Sequence, residues 1–99
     1  MFIARVIGSV VSTKKDEVMR GRKLLVLRPL LVDEQDPAQF KSGQNTIVAV
    51  DALDAGTGDL VLFCQDSSAR HAAGMKALPI DAAVIGLVDT VEIQGHRLA

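Results

Sequence analysis

Cys64, Ser67 and His71 lie close together in the chain, and a thiol or hydroxyl beside an imidazole is the smallest pairing that supports nucleophilic catalysis. The imidazole takes the proton and the sulfur or oxygen attacks. Such a pair also needs an acid to orient the base and donors to hold the developing oxyanion, and neither accompanies these residues. Ser67 sits in a small-residue run, SSARHAA, and Cys64 lies inside an apolar stretch, LVLFCQ, where cysteine ordinarily serves as a small buried hydrophobe. His71 and His96 are far apart with no third ligand near either, which argues against zinc. Asp51, Asp54 and Asp59 have the charge for a cation but lack the ligand order and the closing glutamate of a calcium loop. No catalytic residue, metal or cofactor is expected, and the chain reads as a non-enzyme.

The elements that position these residues centre on Thr46 to Arg70, TIVAVDALDAGTGDLVLFCQDSSAR. Thr46 to Leu53 and Asp59 to Gln65 are β-like runs, joined through Asp54-Ala55-Gly56-Thr57-Gly58, whose glycines permit a tight connection. Upstream, Phe2 to Ser12 reads as a strand apolar on both alternating sets, as if covered on two sides, with Gly8 marking a bulge or bend. Lys23 to Leu31 is a second strand, with Pro29 near its end or on an edge because proline cannot donate to a ladder. The segments 12–22 and 32–45 read as loops. Asp66-Ser67-Ser68 has the form of a helix N-cap, with a short helix over Ala69 to Ala77. Ile80 to Ile93 alternates apolar and small residues as a fifth strand.

Five short strands with internal glycines and one short α-helix before the last strand predict an all-β fold, a five-stranded OB-like Greek-key barrel. A small open sheet closed by a partner subunit fits the same pattern. The 99 residues are expected to form a single domain spanning 1–99. Hydrophobic residues make up 48% of the chain and the mean hydropathy is +0.27, more than one small core hides, so the surplus points to a subunit interface. The formal net charge is −1, and there are three Phe with no Trp or Tyr. That composition opposes the alternative reading as an OB-fold nucleic-acid binder, which needs a basic groove and stacking platforms. A single cysteine makes no internal disulfide. The opening MFIARVIG is too short, and broken by Arg5, to be a secretion signal; the cytoplasm is the expected location, with no membrane partner.

RVIGSVV, KLLVLRPL, VAVDALDAGTGDLVLFCQDSSAR and PIDAAVIGLVDTVEI follow one another in an order and spacing that resembles the EutN/CcmL family, the pentameric vertex (BMC-P) proteins of bacterial microcompartments such as carboxysomes. The VAVD…AG-x-GD-x-VL…SSAR series is the most specific part. The resemblance implies an OB-like barrel that forms a homopentamer, caps the five-fold vertices of an icosahedral shell and meets hexameric and trimeric shell proteins. It places Ser67, Ser68, Ala69 and Arg70 at the subunit interface. The small turn Ala55, Gly56, Thr57 and Gly58 would rim an axial pore, with Asp51 and Asp59 as possible partners of Arg70. Where the family usually carries glycine this chain has Asp54 and Asp66, both able to adopt a left-handed turn, and Arg28 stands where glutamine is usual. Five copies of Asp54 near an axis are expected to repel unless they point outward.

Overall fold

The computed structural model describes residues 1–12, 21–66 and 81–99. Five strands close on themselves: β1 (Phe2–Val10), β2 (Lys23–Val32), β4 (Ile47–Asp51), β5 (Leu60–Gln65) and β6 (Ala82–Leu87). Around the barrel the order is β1-β2-β4-β6-β5, and β1 pairs with both β2 and β5 to shut the ring. Every pairing is antiparallel except β4 with β6, which meet in parallel at Val50 and Ala83. That is the Greek-key closure expected of an OB-type barrel. The predicted helix over Ala69 to Ala77 lies outside the described residues.

Alternation along the strands turns one set of side chains inward. Ala4, Val6, Leu25, Leu27, Ala49, Val61, Phe63, Ala82 and Val84 form the core, and Phe63 is the largest of the fully buried side chains. Alanines at Ala4, Ala49 and Ala82 fit the narrow interior of a five-stranded barrel. Phe2 stands opposite Phe63 across β1 and β5, their rings stacked with centroids 5.4 Å apart. The outer face of β1 is open in the single chain, with Ile7 exposed, so the two-sided cover expected of this strand is not supplied within one protomer.

Curvature comes from two irregularities. Pairing of β1 with β2 slips between Val6 and Gly8, leaving Ile7 as the extra residue, a bulge where the glycine predicted one. Between β5 and β6 the ladder runs Leu62 to Gly86 and then Phe63 to Val84, so Ile85 is the extra residue there. Pro29 sits where β2 leaves β4 for a short strand, β3 (Phe40–Ser42). Its carbonyl accepts from Gly43 N–H at 2.8 Å, and a Cβ on Gly43 would stand 3.1 Å from that oxygen, so the close approach favours glycine.

Two expectations change. The segment 32–45 is not wholly a loop, because β3 extends the β2 arm, and Asp33 and Asp36 turn the chain between them by accepting backbone N–H bonds from Gln35, Asp36 and Ala38. The predicted strand Ile80 to Ile93 is two elements: β6 stops at Leu87, and a separate hairpin follows, β7 (Glu92–Ile93) and β8 (His96–Arg97). Gln94 and Gly95, both at positive φ, make its two-residue turn. The apolar alternation ran across Asp89 and Thr90, where no ladder forms.

Candidate functional site

The connection from β4 to β5 is the most heavily bonded loop among the described residues. It begins at Asp51, the last residue of β4, whose side chain is fully buried and accepts from the N–H groups of Leu53 (2.9 Å) and Ala55 (2.7 Å). A carboxylate two residues before one donor and four before the other folds the chain back on itself, satisfying backbone groups that burial would otherwise strand. Ala55 is drawn into the core with 0% exposure. Of the four turn residues, Gly56, Thr57 and Gly58 therefore present surface, while the methyl of Ala55 faces its own barrel.

The far side of the turn is fastened to β1. Gly58 N–H donates to Val6 O at 2.8 Å, and Val6 N–H donates to Asp59 O at 2.9 Å. Asp59 also accepts from Gly56 N–H at 2.9 Å through Oδ2, closing the turn from within. Gly58 has φ +96 and open space around it, so glycine is needed there for backbone conformation, not for room.

Two cations brace the loop from neighbouring strands. Lys23, at the start of β2, donates through Nζ to Ala55 O at 2.6 Å and to Asp54 Oδ1 at 3.1 Å, and lies 3.7 Å from Asp51 Oδ2. Arg5 on β1 donates to Gly58 O at 2.8 Å. Sequence reading missed both residues, because they lie 32 and 53 positions from the carbonyls they hold and no local spacing announces such a contact.

The three aspartates do not converge as a cation site. Asp51 and Asp59 spend oxygens on backbone N–H groups, and the side chain of Asp54, 98% exposed, turns to Lys23. Asp54 (φ 62) and Asp66 (φ 61) both adopt the left-handed conformation expected where the family usually has glycine. Lys23 is thus a partner for the Asp54 charge within its own chain. Arg28 donates to Gly43 O at 3.3 Å, tying β2 to the residue after β3.

Cys64 is buried in β5 opposite Ala83, which fits the packing role. His96 is exposed on β8. Ser67, Ser68, Ala69, Arg70 and His71 lie outside the described residues. Asp66 N–H donates to Asp81 O at 2.7 Å, joining the end of β5 to the start of β6. Among the described residues, no helix is long and apolar enough to cross a membrane.

The profile of the family described as "Ethanolamine utilisation protein EutN/carboxysome" matches residues 1–89. The chain is 47% identical over 91 residues to the bacterial microcompartment shell vertex protein PduN of Salmonella typhimurium, covering 92% of this chain and 98% of the relative. It is also 42% identical to the carboxysome shell vertex protein CcmL of Gloeobacter violaceus, covering 99% and 92%. The solved structure of that CcmL superposes with a TM-score of 0.84 at 41% identity over 100% of this chain and 96% of the other. The GrpN pentameric microcompartment shell protein from Rhodospirillum rubrum superposes with a TM-score of 0.78 at 43% identity, over 94% and 99%. With this barrel, this braced turn and these full-length likenesses, the chain belongs to the EutN/CcmL family.

Proposed function

We propose that this chain is a structural vertex protein of a bacterial microcompartment: a homopentamer that closes the five-fold corners of the shell and catalyses nothing. The observation that carries the reading is the likeness to a pentameric shell protein at 43% identity across nearly the whole chain. The mechanism is geometric. A heterologous contact repeated with a rotation of one fifth of a turn closes on itself and uses two different patches per chain. Phe2, Ile7, Val48, Leu53 and Leu87 are each exposed by more than two-fifths on a single protomer, the surplus apolar surface such patches need.

In this ring the whole of 1–99 acts as one vertex domain. Ser67, Ser68, Ala69 and Arg70 lie at the contact between neighbours, where the Arg70 guanidinium makes directed hydrogen bonds. The surface of the turn, Gly56, Thr57 and Gly58, approaches the axis, where five copies of a larger side chain would collide. Asp51, Asp59, Arg5 and Lys23 hold the turn from behind, so its shape is set before assembly. The flanks of the ring meet hexameric and trimeric shell proteins, and the assembly resides in the microcompartment shell within the cytoplasm. Co-expression of hexagonal shell proteins with and without this chain tests the role. Closed particles are expected only when it is present, and identical closed particles in both cases would remove the capping function.

A further inference from the structure

The hairpin of β7 and β8 is not part of the barrel. Among the described residues its strands, two residues each, pair only with one another, extended by Leu98 N–H to Val91 O at 2.9 Å. A lone hairpin of this length is marginal in water at best. It also falls beyond the residues 1–89 that the family profile matches. Glu92 and Arg97 stand directly opposite each other, so an acid and a base share one face of the hairpin, both exposed. Arg97 Nε donates to Ala99 O at 3.0 Å, and among the described residues no Asp or Glu side chain comes within ion-pairing distance of its guanidinium.

A cleft of about 730 Å³ lies on the β2–β3 arm, and the described residues that line it all belong to that arm. Leu31 and Val32, half exposed, give it an apolar floor; Asp33 and Glu34 supply negative charge on one side, and Lys41 supplies a positive charge. Among the described residues, neither Glu34 nor Lys41 has an ion-pair partner in its own chain. The cleft has room for a few side chains, not for a whole element.

Resting on the ring reading, we infer that the C-terminal hairpin docks as an arm in the β2–β3 cleft of the adjacent copy. Arg97 meets Glu34 and Asp33 while its aliphatic stem covers Leu31 and Val32, and Glu92 meets Lys41. The complementarity is two-sided. It also gives the two unlike patches that a head-to-tail ring requires, one that reaches out and one that receives. The hairpin gains the partner its length demands, and the exposed apolar floor is covered.

The test is a thiol cross-link made with a flexible bismaleimide, because residues that meet through long charged side chains can hold their Cα atoms farther apart than the roughly 7 Å that a disulfide spans. The full-length double variant Gln35→Cys with His96→Cys, which keeps Glu34, Lys41, Glu92 and Arg97, is treated with the bismaleimide at low concentration and separated under denaturing conditions, and its subunit count is read by native mass spectrometry with reductant before treatment. The parent, whose Cys64 is buried, is the control. The inference predicts a ladder rising to five cross-linked chains, absent from the parent and from each single variant. An intact five-subunit assembly that gives no inter-chain cross-link, or one that gives a bond within a single chain, overturns the arm and leaves the ring standing. A reduced protein without five subunits overturns the ring, and the arm with it.

Discussion

Replacing Asp51 by alanine removes the acceptor for two backbone N–H groups at once, and the structure assigns each a different cost. The N–H of Ala55 belongs to a residue with 0% exposure, so losing its 2.7 Å bond leaves a buried donor unsatisfied, worth about 1–3 kcal/mol. Leu53 is 43% exposed, so water can replace the 2.9 Å bond there and the loss is about 0.5–1.5 kcal/mol. The Lys23 contact at 3.7 Å is left out of the sum because the lysine is 41% exposed and screened. Asp51→Ala is therefore expected to destabilise by about 1.5–4.5 kcal/mol, a large share of the roughly 5–15 kcal/mol that holds a domain together. Asp51→Asn keeps one oxygen that can accept and should cost about half as much. The assay is urea unfolding followed by circular dichroism at fixed protomer concentration, because assembly makes stability depend on concentration. A shift of Asp51→Ala within about 0.5 kcal/mol of wild type, the range of ordinary surface changes, would refute the reasoning.

Asp54→Gly should leave the unfolding midpoint within about 1 kcal/mol of wild type, since glycine relieves the left-handed strain while losing only an exposed pair; Asp54→Val, β-branched at φ 62, should lower it by about 1–2 kcal/mol. If both substitutions behaved alike, backbone conformation would not be what position 54 demands. Phe63→Ala empties the centre of the barrel and should cost about 3–5 kcal/mol by the same unfolding assay, with a cost below about 1 kcal/mol contradicting the packing described. Arg70→Ala and Gly56→Trp should each weaken assembly in light scattering while the circular dichroism spectrum of the barrel persists. An intact ring in both variants would displace the proposed contact and axis.

The barrel was legible in the sequence because its five strands coincide with Val-, Leu- and Ile-rich runs bounded by polar or glycine-bearing segments, and because Gly8 marks a real bulge. The left-handed turns at Asp54 and Asp66 were legible for a similar reason: few residue types tolerate that conformation. β3 was not legible. Phe40, Lys41 and Ser42 carry no apolar alternation and become a strand only by pairing with Leu30, Leu31 and Val32. The terminal hairpin was hidden because VDTVEI continues the apolar rhythm of β6 across residues 88–91, which belong to no strand, and because its turn, Gln94-Gly95, lacks the Asn or Asp that usually announces one. The braces of the site escaped as well. Lys23 and Arg5 act on the turn through strand pairing, β2 with β4 and β1 with β5, which brings the start of β2 and the middle of β1 to the β4–β5 connection, and that pairing is a property of the whole sheet.

The central claim is a ring of five identical chains, and native mass spectrometry of the purified full-length protein at micromolar concentration tests it most directly. The account predicts a dominant species of five times the 10.5 kDa chain mass. A stable monomer or dimer under the same conditions would contradict it.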